Sequence, residues 1–345
     1  MSLFGGASFS FNFQKTEQGE LQAQPQTCEE TPGPLGLRPA EEVVPWEESA
    51  FDVDESHAQV ETIRFSEDVF LRKLKLSDAF LRSSLQGMEA QKGSSSSSEL
   101  GSTSTVRVSD VLGHSDLLSG VYEGGFKQWE CSVDLVHFLM NEMAHKEDAS
   151  TSPMRVLELG CGQSLPALYM LKYQEATVHF QDYNTEVLRL LTIPNTLLNC
   201  GAGSVSEKRL QIQKQKEKEG TNLVSLTDSH KQFFKERDIR FFAGDWQLLE
   251  TMIEKQSYDM ILTSETIYNT QNLAKLYSLI KHALKPSGVC FAAAKTYYFA
   301  VGGGCRQFEN IVKEDGFFDI STARLIDDGT SNRREILKLT RSSSQ

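Results

Sequence analysis

The residues best suited to chemistry surround a short glycine turn, Gly160-Cys-Gly162, which follows the apolar run Val156-Leu-Glu-Leu159. Two glycines spaced this way between a strand and a helix allow a tight turn and a close approach of the backbone to a ligand. The third glycine of a dinucleotide-binding turn is replaced by Leu165, and Glu158 stands two residues before Gly160. A carboxylate beside the ligand is poorly placed against phosphate and suits a positive charge. The turn therefore favours S-adenosylmethionine, with its sulfonium and ammonium groups, over a nicotinamide dinucleotide.

Asp182 is the second candidate, because it ends the next apolar run, Thr177-Val-His-Phe-Gln181, and lies 22 residues after Gly160. A carboxylate at this strand end can accept hydrogen bonds from both hydroxyls of a ribose. The alternative is that Asp182 caps the helix that follows. Its register with Glu158 and Gly160 favours the ribose interpretation.

Two further apolar runs end in polar residues, Gly244-Asp245-Trp246 and Thr263-Ser-Glu265-Thr-Ile-Tyr268-Asn269. An acid or a backbone group in the first can meet the amino edge of adenine, and its tryptophan can cover the ring. Ligands of open α/β sheets bind at the carboxyl ends of the strands. Four consecutive runs thus predict one site along a single edge of a sheet.

The elements that would position these residues alternate regularly from Val106 onward. Predicted strands cover 155–159, 177–181, 239–243, 258–263, 289–293, 317–326 and 335–340, and predicted helices cover 166–173, 185–199, 246–255, 273–284 and 305–315. This alternation predicts parallel strands joined by right-handed crossovers. The last two strands have no helix between them and predict an antiparallel hairpin. The fold class is therefore α/β, a Rossmann-like, doubly wound, seven-stranded sheet.

The first 105 residues differ in composition from the rest. They contain 8 Lys and Arg against 17 Asp and Glu, a net charge of −9, whereas residues 106–345 contain 27 against 30, a net charge of −3. We predict a mostly disordered acidic tail over 1–105 and a folded domain over 106–345. Within the tail, helical spacing of apolar residues predicts an amphipathic segment over Val60–Leu85. Phe9, Phe11 and Phe13 either dock as an added strand or are exposed aromatics.

One connection, residues 200–238, is far longer than a usual loop. It contains Glu207-Lys-Arg-Leu-Gln-Ile-Gln-Lys-Gln-Lys-Glu-Lys-Glu219. A solvated helix of mixed charge is the favoured interpretation of this charged insertion, and a nuclear-targeting or substrate-contacting segment is the alternative.

Composition excludes several classes of protein. The chain has 345 residues, of which 39% are hydrophobic, and no apolar run approaches the ~18 residues of a membrane span. Its start lacks the pattern of a secretory signal. Six scattered cysteines predict neither a disulfide framework nor a metal site. We expect a protein of the cytoplasm or nucleus.

Longer stretches resemble a known family. These are Ser115-Asp-Leu-Leu-Ser-Gly-Val-Tyr-Glu-Gly-Gly-Phe-Lys-Gln-Trp-Glu-Cys131, Phe180-Gln-Asp-Tyr-Asn184, Leu262-Thr-Ser-Glu-Thr-Ile-Tyr-Asn269 and Tyr298-Phe-Ala-Val-Gly-Gly-Gly304. Over residues 108–340 and the Phe-rich start, the chain resembles the class I, seven-strand S-adenosylmethionine methyltransferases, in the branch with an (Asp/Glu)-x-x-Tyr motif. It is most similar to the eukaryotic protein-histidine N-methyltransferases. Pro166 departs from the usual Gly-rich continuation of the turn but is well tolerated in a first helical turn.

The resemblance implies a set of site residues. The expected contacts to S-adenosylmethionine are Gln128, Trp129, Glu130, Cys131, Ser132, Glu158, Gly160, Gly162, Gln181, Asp182, Tyr183, Gly244, Asp245, Trp246 and Ser264. Glu265, Tyr268 and Asn269 are the candidates for orienting the methyl acceptor, since a neutral imidazole needs only a partner for its second ring N–H. S-adenosylhomocysteine is the expected product.

The resemblance also implies a substrate, a histidine of the third large-subunit ribosomal protein, either free or in a pre-ribosomal particle. We accordingly expect location in the cytoplasm and nucleus, including the nucleolus. The small net charge of residues 106–345 gives no broad basic surface for direct nucleic-acid binding. The alternatives left open are a protein-lysine or RNA methyltransferase of the same fold and a non-catalytic ribosome assembly factor.

Overall fold

A computed structural model describes residues 37–46, 58–94, 108–111, 118–144, 152–200, 228–299, 302–329 and 332–343. The strands are β1 Glu41–Glu42, β2 Ala58–Arg64, β3 Phe70–Leu76, β4 Arg155–Leu159, β5 Thr177–Asp182, β6 Arg240–Ala243, β7 Tyr258–Ser264, β8 Leu284–Lys295, β9 Phe318–Ile326 and β10 Arg334–Arg341. The helices are α1 Asp78–Ser94, α2 Val108–Val111, α3 Glu130–Met143, α4 Leu165–Tyr173, α5 Thr185–Val187, α6 Ile193–Cys200, α7 Asp228–Glu236, α8 Trp246–Leu249, α9 Leu273–Ala283 and α10 Cys305–Asp315. A π-helical turn, Leu188–Thr192, joins α5 to α6.

The main sheet has the order β1-β6-β5-β4-β7-β8-β10-β9. Strands β6, β5, β4, β7 and β8 are parallel to their neighbours. Strand β10 runs antiparallel between β8 and β9. The predicted doubly wound sheet of seven strands with a final antiparallel hairpin is confirmed, and β1 adds an eighth strand at the edge beside β6.

The central strands are continuous apolar runs because both faces of the sheet are covered. Successive residues of β4 enter opposite layers of the core: Val156 packs with the layer that includes α3, α4 and α6, and Leu157 packs with the layer that includes α9 and α10. This two-sided burial fixes the register of β4. The register in turn places the glycine turn at the carboxyl edge of the sheet.

Two predicted boundaries inside this domain are wrong. The helix predicted over 246–255 ends at Leu249, and the chain continues as a turn in which the N–H groups of Met252 and Ile253 both donate to the Leu249 carbonyl. Strand β8 begins at Leu284 rather than at residue 289. Its pairing with β7 shifts between Tyr258 and Met260, which accommodates the extra residues around Gly288.

The amphipathic helix predicted over Val60–Leu85 is wrong for most of its length. Strands β2 and β3 form an antiparallel hairpin in which Arg64 pairs with Phe70, and a helix begins only at Asp78. The hydroxyl of Ser66 accepts a hydrogen bond from the Val69 N–H and stabilises the turn, 3.1 Å between the two atoms. Short apolar spacings suit either element, so packing decides between them.

Helix α6 holds this hairpin through side-chain amides that imitate strand pairing. Asn199 Oδ1 accepts from the Arg72 N–H at 2.9 Å, and Asn199 Nδ2 donates to the Arg72 carbonyl at 2.6 Å. Asn195 Oδ1 accepts from the Leu74 N–H at 2.8 Å. Residues 37–46 and 58–94 therefore belong to the compact unit that spans Leu37–Gln345, and the boundary predicted after residue 105 is too late for them.

Some predictions fall on other parts of the chain. Phe9, Phe11, Phe13, most of the predicted disordered tail, and residues 201–227 of the charged insertion lie outside the described residues. The end of that insertion forms α7. Within the described ranges, every helix is too short or too polar to cross a bilayer.

The attachment of the hairpin can be tested with Asn199→Ala. This change removes both partners of the Arg72 peptide groups, and we expect the free energy of unfolding to fall by about 1–3 kcal/mol. Thr62→Ala, on the exposed side of the same hairpin, is the matched control and should change it by less than about 0.5 kcal/mol. Urea titration measures both. Equal midpoints for the two variants would contradict the attachment.

Candidate active site

The site lies at the carboxyl ends of β4, β5, β6 and β7, under a segment that we call the strap, residues 118–129. Buried Asn184 joins the strap to the end of β5. Its Nδ2 donates to the Val121 carbonyl at 2.9 Å, and its Oδ1 accepts from the Glu123 N–H at 3.1 Å. The hydroxyl of Tyr183 donates to the Gly120 carbonyl at 2.9 Å. The strap is thus fixed across the strand ends.

The glycine turn needs both of its glycines. Gly160 has φ +62° and Gly162 has φ +49°. A Cβ on Gly160 would lie 2.4 Å from Cγ2 of Thr266, and a Cβ on Gly162 would lie 3.1 Å from the Gly125 carbonyl oxygen. The turn is therefore packed between the segment after β7 and the strap. The sequence predicts such close packing, because two glycines allow the backbone to approach neighbouring groups.

Gln181 connects three strand ends. Its Oε1 accepts from the Gly160 N–H at 3.1 Å and from Nε1 of Trp246 at 2.7 Å, and its Nε2 donates to the Gly244 carbonyl at 3.1 Å. The amide is completely buried. Gln181 therefore orients Trp246 beside the glycine turn. The sequence analysis predicts that this indole ring covers the adenine.

Asp182 is buried, and burial raises its pKa to about 6. Its Oδ2 accepts from the Gly162 N–H at 2.9 Å, and its Oδ1 accepts from the Asn184 N–H at 3.0 Å. The N-cap of α5 is Asn184, so the interpretation of Asp182 as that cap is wrong. Each carboxylate oxygen keeps a second lone pair, which leaves acceptors for a ribose.

Glu158 does not lie open at the ligand surface. It is fully buried, and its Oε2 accepts from the Ser164 hydroxyl at 2.6 Å and from the Ala167 N–H at 3.1 Å, in the first turn of α4. Burial raises its pKa to about 8. The carboxyl group therefore anchors the helix that follows the glycine turn.

Three buried oxygens around this edge have no hydrogen-bond partner among the described residues. They are Oε1 of Gln128, Gln163 and Glu265. A buried acceptor without a partner is unfavourable unless a ligand supplies a donor. A phosphate would need donors here, whereas amino and ammonium groups need acceptors. The residues present therefore fit a ligand with N–H groups and positive charge, as S-adenosylmethionine has.

The residues predicted to contact the cofactor at the end of the strap and the start of α3 divide into two groups. Trp129 Nε1 donates to the Gly124 carbonyl at 3.0 Å, and Gln128 Nε2 donates to the Ser132 hydroxyl. Cys131 is fully buried below them. Glu130 points elsewhere, because its carboxylate pairs with Arg334 at 3.8 Å.

Asp245 caps α8 and also pairs with a lysine. Its Oδ1 accepts from the Gln247 N–H at 2.9 Å, and its Oδ2 lies 2.7 Å from Nζ of Lys275. Its own N–H donates to the Arg38 carbonyl at 3.1 Å. Both the carboxylate and the backbone groups of Asp245 are thus already paired, because its carbonyl accepts from the Leu248 N–H at 3.0 Å, and Trp246 is left as the better contact to adenine.

Sequence reasoning missed Arg38. Its guanidinium binds Glu186 with Nη2 at 2.6 Å and lies over the Tyr183 ring at 5.6 Å. It belongs to the region predicted to be a tail, and no local signal in the sequence distinguishes it. Arg38 supports the end of β5 from outside.

The acceptor-orienting candidates stand next to the glycine turn, since Thr266 follows Glu265 and packs on Gly160. Glu265 has φ +57° and is buried, and its Oε2 accepts from the Tyr298 hydroxyl. The Tyr268 hydroxyl donates instead to Glu123 of the strap. The glutamate and tyrosine of the (Asp/Glu)-x-x-Tyr motif therefore each bind a different partner.

Asn269 and Ser264 flank these residues. Asn269 Nδ2 donates to the Ser119 hydroxyl at 2.8 Å, and its Oδ1 accepts from the Gln271 N–H at 2.9 Å. Ser264 ends β7 opposite Ala293 of β8. Asn269 thus ties the strap to the loop after β7, and both its amide atoms are occupied. Among the described residues, no group of three or more His, Cys, Asp or Glu could hold a metal ion.

Comparison with known proteins identifies relatives of this chain. A family model described as lysine methyltransferase matches residues 227–299. The chain is 39% identical over 230 residues to "Histidine protein methyltransferase 1 homolog" of Dictyostelium discoideum, which covers 67% of this chain and 62% of that protein. It is 35% identical over 223 residues to the bovine protein of the same name, covering 63% of this chain and 55% of that one. The resemblance is confirmed.

The alignments set a limit on what these relatives transfer. The chain spans less than two thirds of the length of the curated relatives it matches. Among solved structures, a TehB-like SAM-dependent methyltransferase from Corynebacterium glutamicum is 14% identical, with a TM-score of 0.33, covering 61% of this chain and 98% of that chain. A similarity this low gives no information about the ligand.

The glycine turn can be tested with Gly160→Ala. The added methyl group would meet Thr266, so the turn must shift, and we expect affinity for S-adenosylhomocysteine to fall at least about tenfold, or about 1.4 kcal/mol. Gly316→Ala is the matched control, because Gly316 has φ +68° at the end of α10 and nothing lies within 4 Å of its Cβ position. Titration calorimetry measures both. Unchanged affinity in Gly160→Ala would contradict the placement of the ligand.

Proposed function

We propose that the protein is an S-adenosylmethionine-dependent protein-histidine N-methyltransferase that modifies an imidazole nitrogen of a large-subunit ribosomal protein. The observation that carries this proposal is the buried, unpartnered Oε1 of Glu265, next to the residue that packs on the glycine turn. The relatives named histidine protein methyltransferase support it.

The residues of the sheet edge provide the binding functions. S-adenosylmethionine supplies an electrophilic methyl group on its sulfonium when bound. Asp182 offers its remaining lone pairs to the ribose, and Trp246 offers an aromatic face to the adenine. Gln128 and Gln163 offer unpartnered carbonyl oxygens to N–H donors. The strap, held by Asn184, would exclude water from the bound ligand.

Methyl transfer to nitrogen is an in-line displacement, so alignment of the acceptor provides much of the acceleration, up to ~7–11 kcal/mol. The nucleophile must be a neutral imidazole. Histidine has a reference pKa of ~6.5 and is largely neutral at pH 7, so no strong base is needed. Glu265 accepts the N–H of the second ring nitrogen through Oε1. This hydrogen bond fixes the tautomer and directs the other lone pair outward.

Lysine is a poorer acceptor for the same site, although one family model bears that name. A lysine ammonium has a reference pKa of ~10.4 and must lose a proton before it can attack. A neighbouring carboxylate favours the charged form of either side chain, but histidine, from its reference pKa of ~6.5, keeps a far larger neutral fraction at pH 7. The site of Glu265 therefore suits an imidazole better than an ammonium.

The substrate and location extend the proposal. The third large-subunit ribosomal protein is the substrate implied by the sequence resemblance, free or in a pre-ribosomal particle. Such a substrate would be met in the cytoplasm, the nucleus and the nucleolus. A basic partner fits the acidic first 105 residues, whose net charge is −9.

The role of Glu265 predicts the effect of Glu265→Gln. The amide accepts less strongly than a carboxylate, and we expect kcat to fall about 10²-fold while affinity for S-adenosylhomocysteine stays within twofold. Glu314→Gln, an exposed residue of α10, is the matched control and should keep full activity. Steady-state kinetics and calorimetry measure both. An unchanged kcat in Glu265→Gln would exclude this residue as the group that accepts the imidazole N–H.

The substrate class predicts a single labelled residue. With tritiated S-adenosylmethionine and ribosomal proteins from cells that lack this chain, we expect label on one histidine of one large-subunit protein. Mass spectrometry of the same proteins from unmodified cells should show that histidine methylated. Label on lysine, arginine or RNA would contradict the specificity, and the absence of any label would favour a non-catalytic assembly factor.

A further inference from the structure

We infer that Tyr298, outside the (Asp/Glu)-x-x-Tyr motif, is the positioning residue that holds Glu265 in its reactive orientation. This inference rests on the proposed function of Glu265 and adds to it the residue on which that function depends. The relevant contacts lie in the segment after β8, for which the sequence predicts neither a helix nor a strand.

The Tyr298 hydroxyl lies between two groups that it connects. It donates to Oε2 of Glu265 and accepts from the Lys295 N–H at 3.2 Å. The side chains on either side, Tyr297 and Phe299, are 44% and 73% exposed, whereas Tyr298 is turned inward. A large aromatic side chain that carries a polar group inward between two exposed aromatics indicates a specific partner for its hydroxyl.

The backbone around Tyr298 is fixed against the same region. Its N–H donates to the Gly303 carbonyl at 3.0 Å, and its carbonyl accepts from the Gly302 N–H at 3.1 Å. The Gly303 N–H donates to the Tyr268 carbonyl at 3.0 Å, and a Cβ on Gly303 would lie 2.2 Å from that oxygen. Tyr298 is therefore linked to the loop after β7 in two ways. Its hydroxyl binds Glu265 directly, and its backbone is connected to Tyr268 through Gly303.

Glu265 needs such a holder because its own geometry is unfavourable. A non-glycine residue at φ +57° carries backbone strain that its surroundings must maintain. Its carboxylate is buried beside the Cys131 thiol, whose pKa is raised by burial and by this neighbouring charge. Tyr298 donates to Oε2, and Oε1 has no hydrogen-bond partner among the described residues. Holding Oε2 in place therefore sets the direction in which Oε1 can accept an imidazole N–H.

The tyrosine of the motif cannot take over this task. Tyr268 donates to Glu123, which also accepts from the Gly120 N–H at 2.7 Å in the strap. The rings of Tyr268 and Tyr298 contact edge to face, with centroids 6.2 Å apart. Rotation of Tyr268 towards Glu265 would therefore break its bond to the strap and displace the ring of Tyr298.

The phenol remains a donor over the physiological range. Burial raises the pKa of Tyr298 well above its usual range, and the negative charge of Glu265 raises it further. Three titratable groups surround the Tyr298 hydroxyl. They are Glu265 from the segment after β7, Lys295 from β8 and the Cys131 thiol from α3. A neutral phenol thus keeps its proton for the carboxylate.

The test is a double-mutant cycle on the full-length chain with its histidine substrate. We expect Tyr298→Phe to lower kcat about 10- to 100-fold, with KM and affinity for S-adenosylhomocysteine within twofold of the unmodified protein. In the Glu265→Gln background, Tyr298→Phe should cause no further loss of kcat, because the carboxylate it positions is gone. Tyr277→Phe is the matched control, since its hydroxyl donates to Asp315 at 2.7 Å between α9 and α10.

The outcomes separate this inference from the proposed function. Additive losses in the double variant, an unchanged kcat in Tyr298→Phe, or losses of kcat and ligand affinity that match each other would overturn the positioning role. Transfer by the unmodified protein to lysine or RNA instead of histidine would overturn the proposed function alone. The cycle with that acceptor would still decide the role of Tyr298. An unmodified protein that methylates no acceptor would overturn both.

Discussion

The three hydrogen bonds of the buried Gln181 amide are the interaction on which the site depends. They join the glycine turn after β4 to both Gly244 and Trp246 after β6, across the end of β5. Parallel strands bring their ends to one edge but do not by themselves fix the loops that follow. A neutral amide can donate and accept at once, whereas a carboxylate can only accept. Glutamine at this position therefore fixes a glycine N–H, an indole N–H and a carbonyl with one side chain.

Around that amide, the described residues of the edge include buried oxygens without hydrogen-bond partners, on Gln128, Gln163 and Glu265. Burial raises the pKa of both Glu158 and Asp182, and nearby N–H and O–H groups donate hydrogen bonds to both carboxyl groups. The helix that begins after the turn is anchored by Glu158 itself, which occupies the position where an anion would otherwise bind.

The sequence predicts the fold and the positions of the site residues better than it predicts their partners. Hydrophobic runs identify each parallel strand because two-sided burial leaves a strong signal. The hairpin at residues 58–76 escapes detection because its stability depends on Asn195 and Asn199, more than a hundred residues away. The motif identifies Glu265 and Tyr268 as candidates for orienting the methyl acceptor, but it does not predict their hydrogen-bond partners, Tyr298 and Glu123, which are distant in sequence. Side-chain partners over such separations are set by topology and are invisible to local patterns.

The pairing of Glu265 with Tyr298, and of Tyr268 with Glu123, has a chemical consequence. If Tyr268 bound Glu265, the motif would be a closed unit, and the strap would lose one of its two side-chain bonds to the loop after β7, keeping that between Asn269 and Ser119. With two separate Glu–Tyr pairs, one pair closes the strap while the other fixes one oxygen of Glu265 and leaves its second oxygen free. A free acceptor at a strained, buried position is unfavourable until a donor arrives. The donor that suits it is a neutral group with one N–H and one lone pair on opposite sides of a ring, and among protein side chains this is the imidazole of histidine.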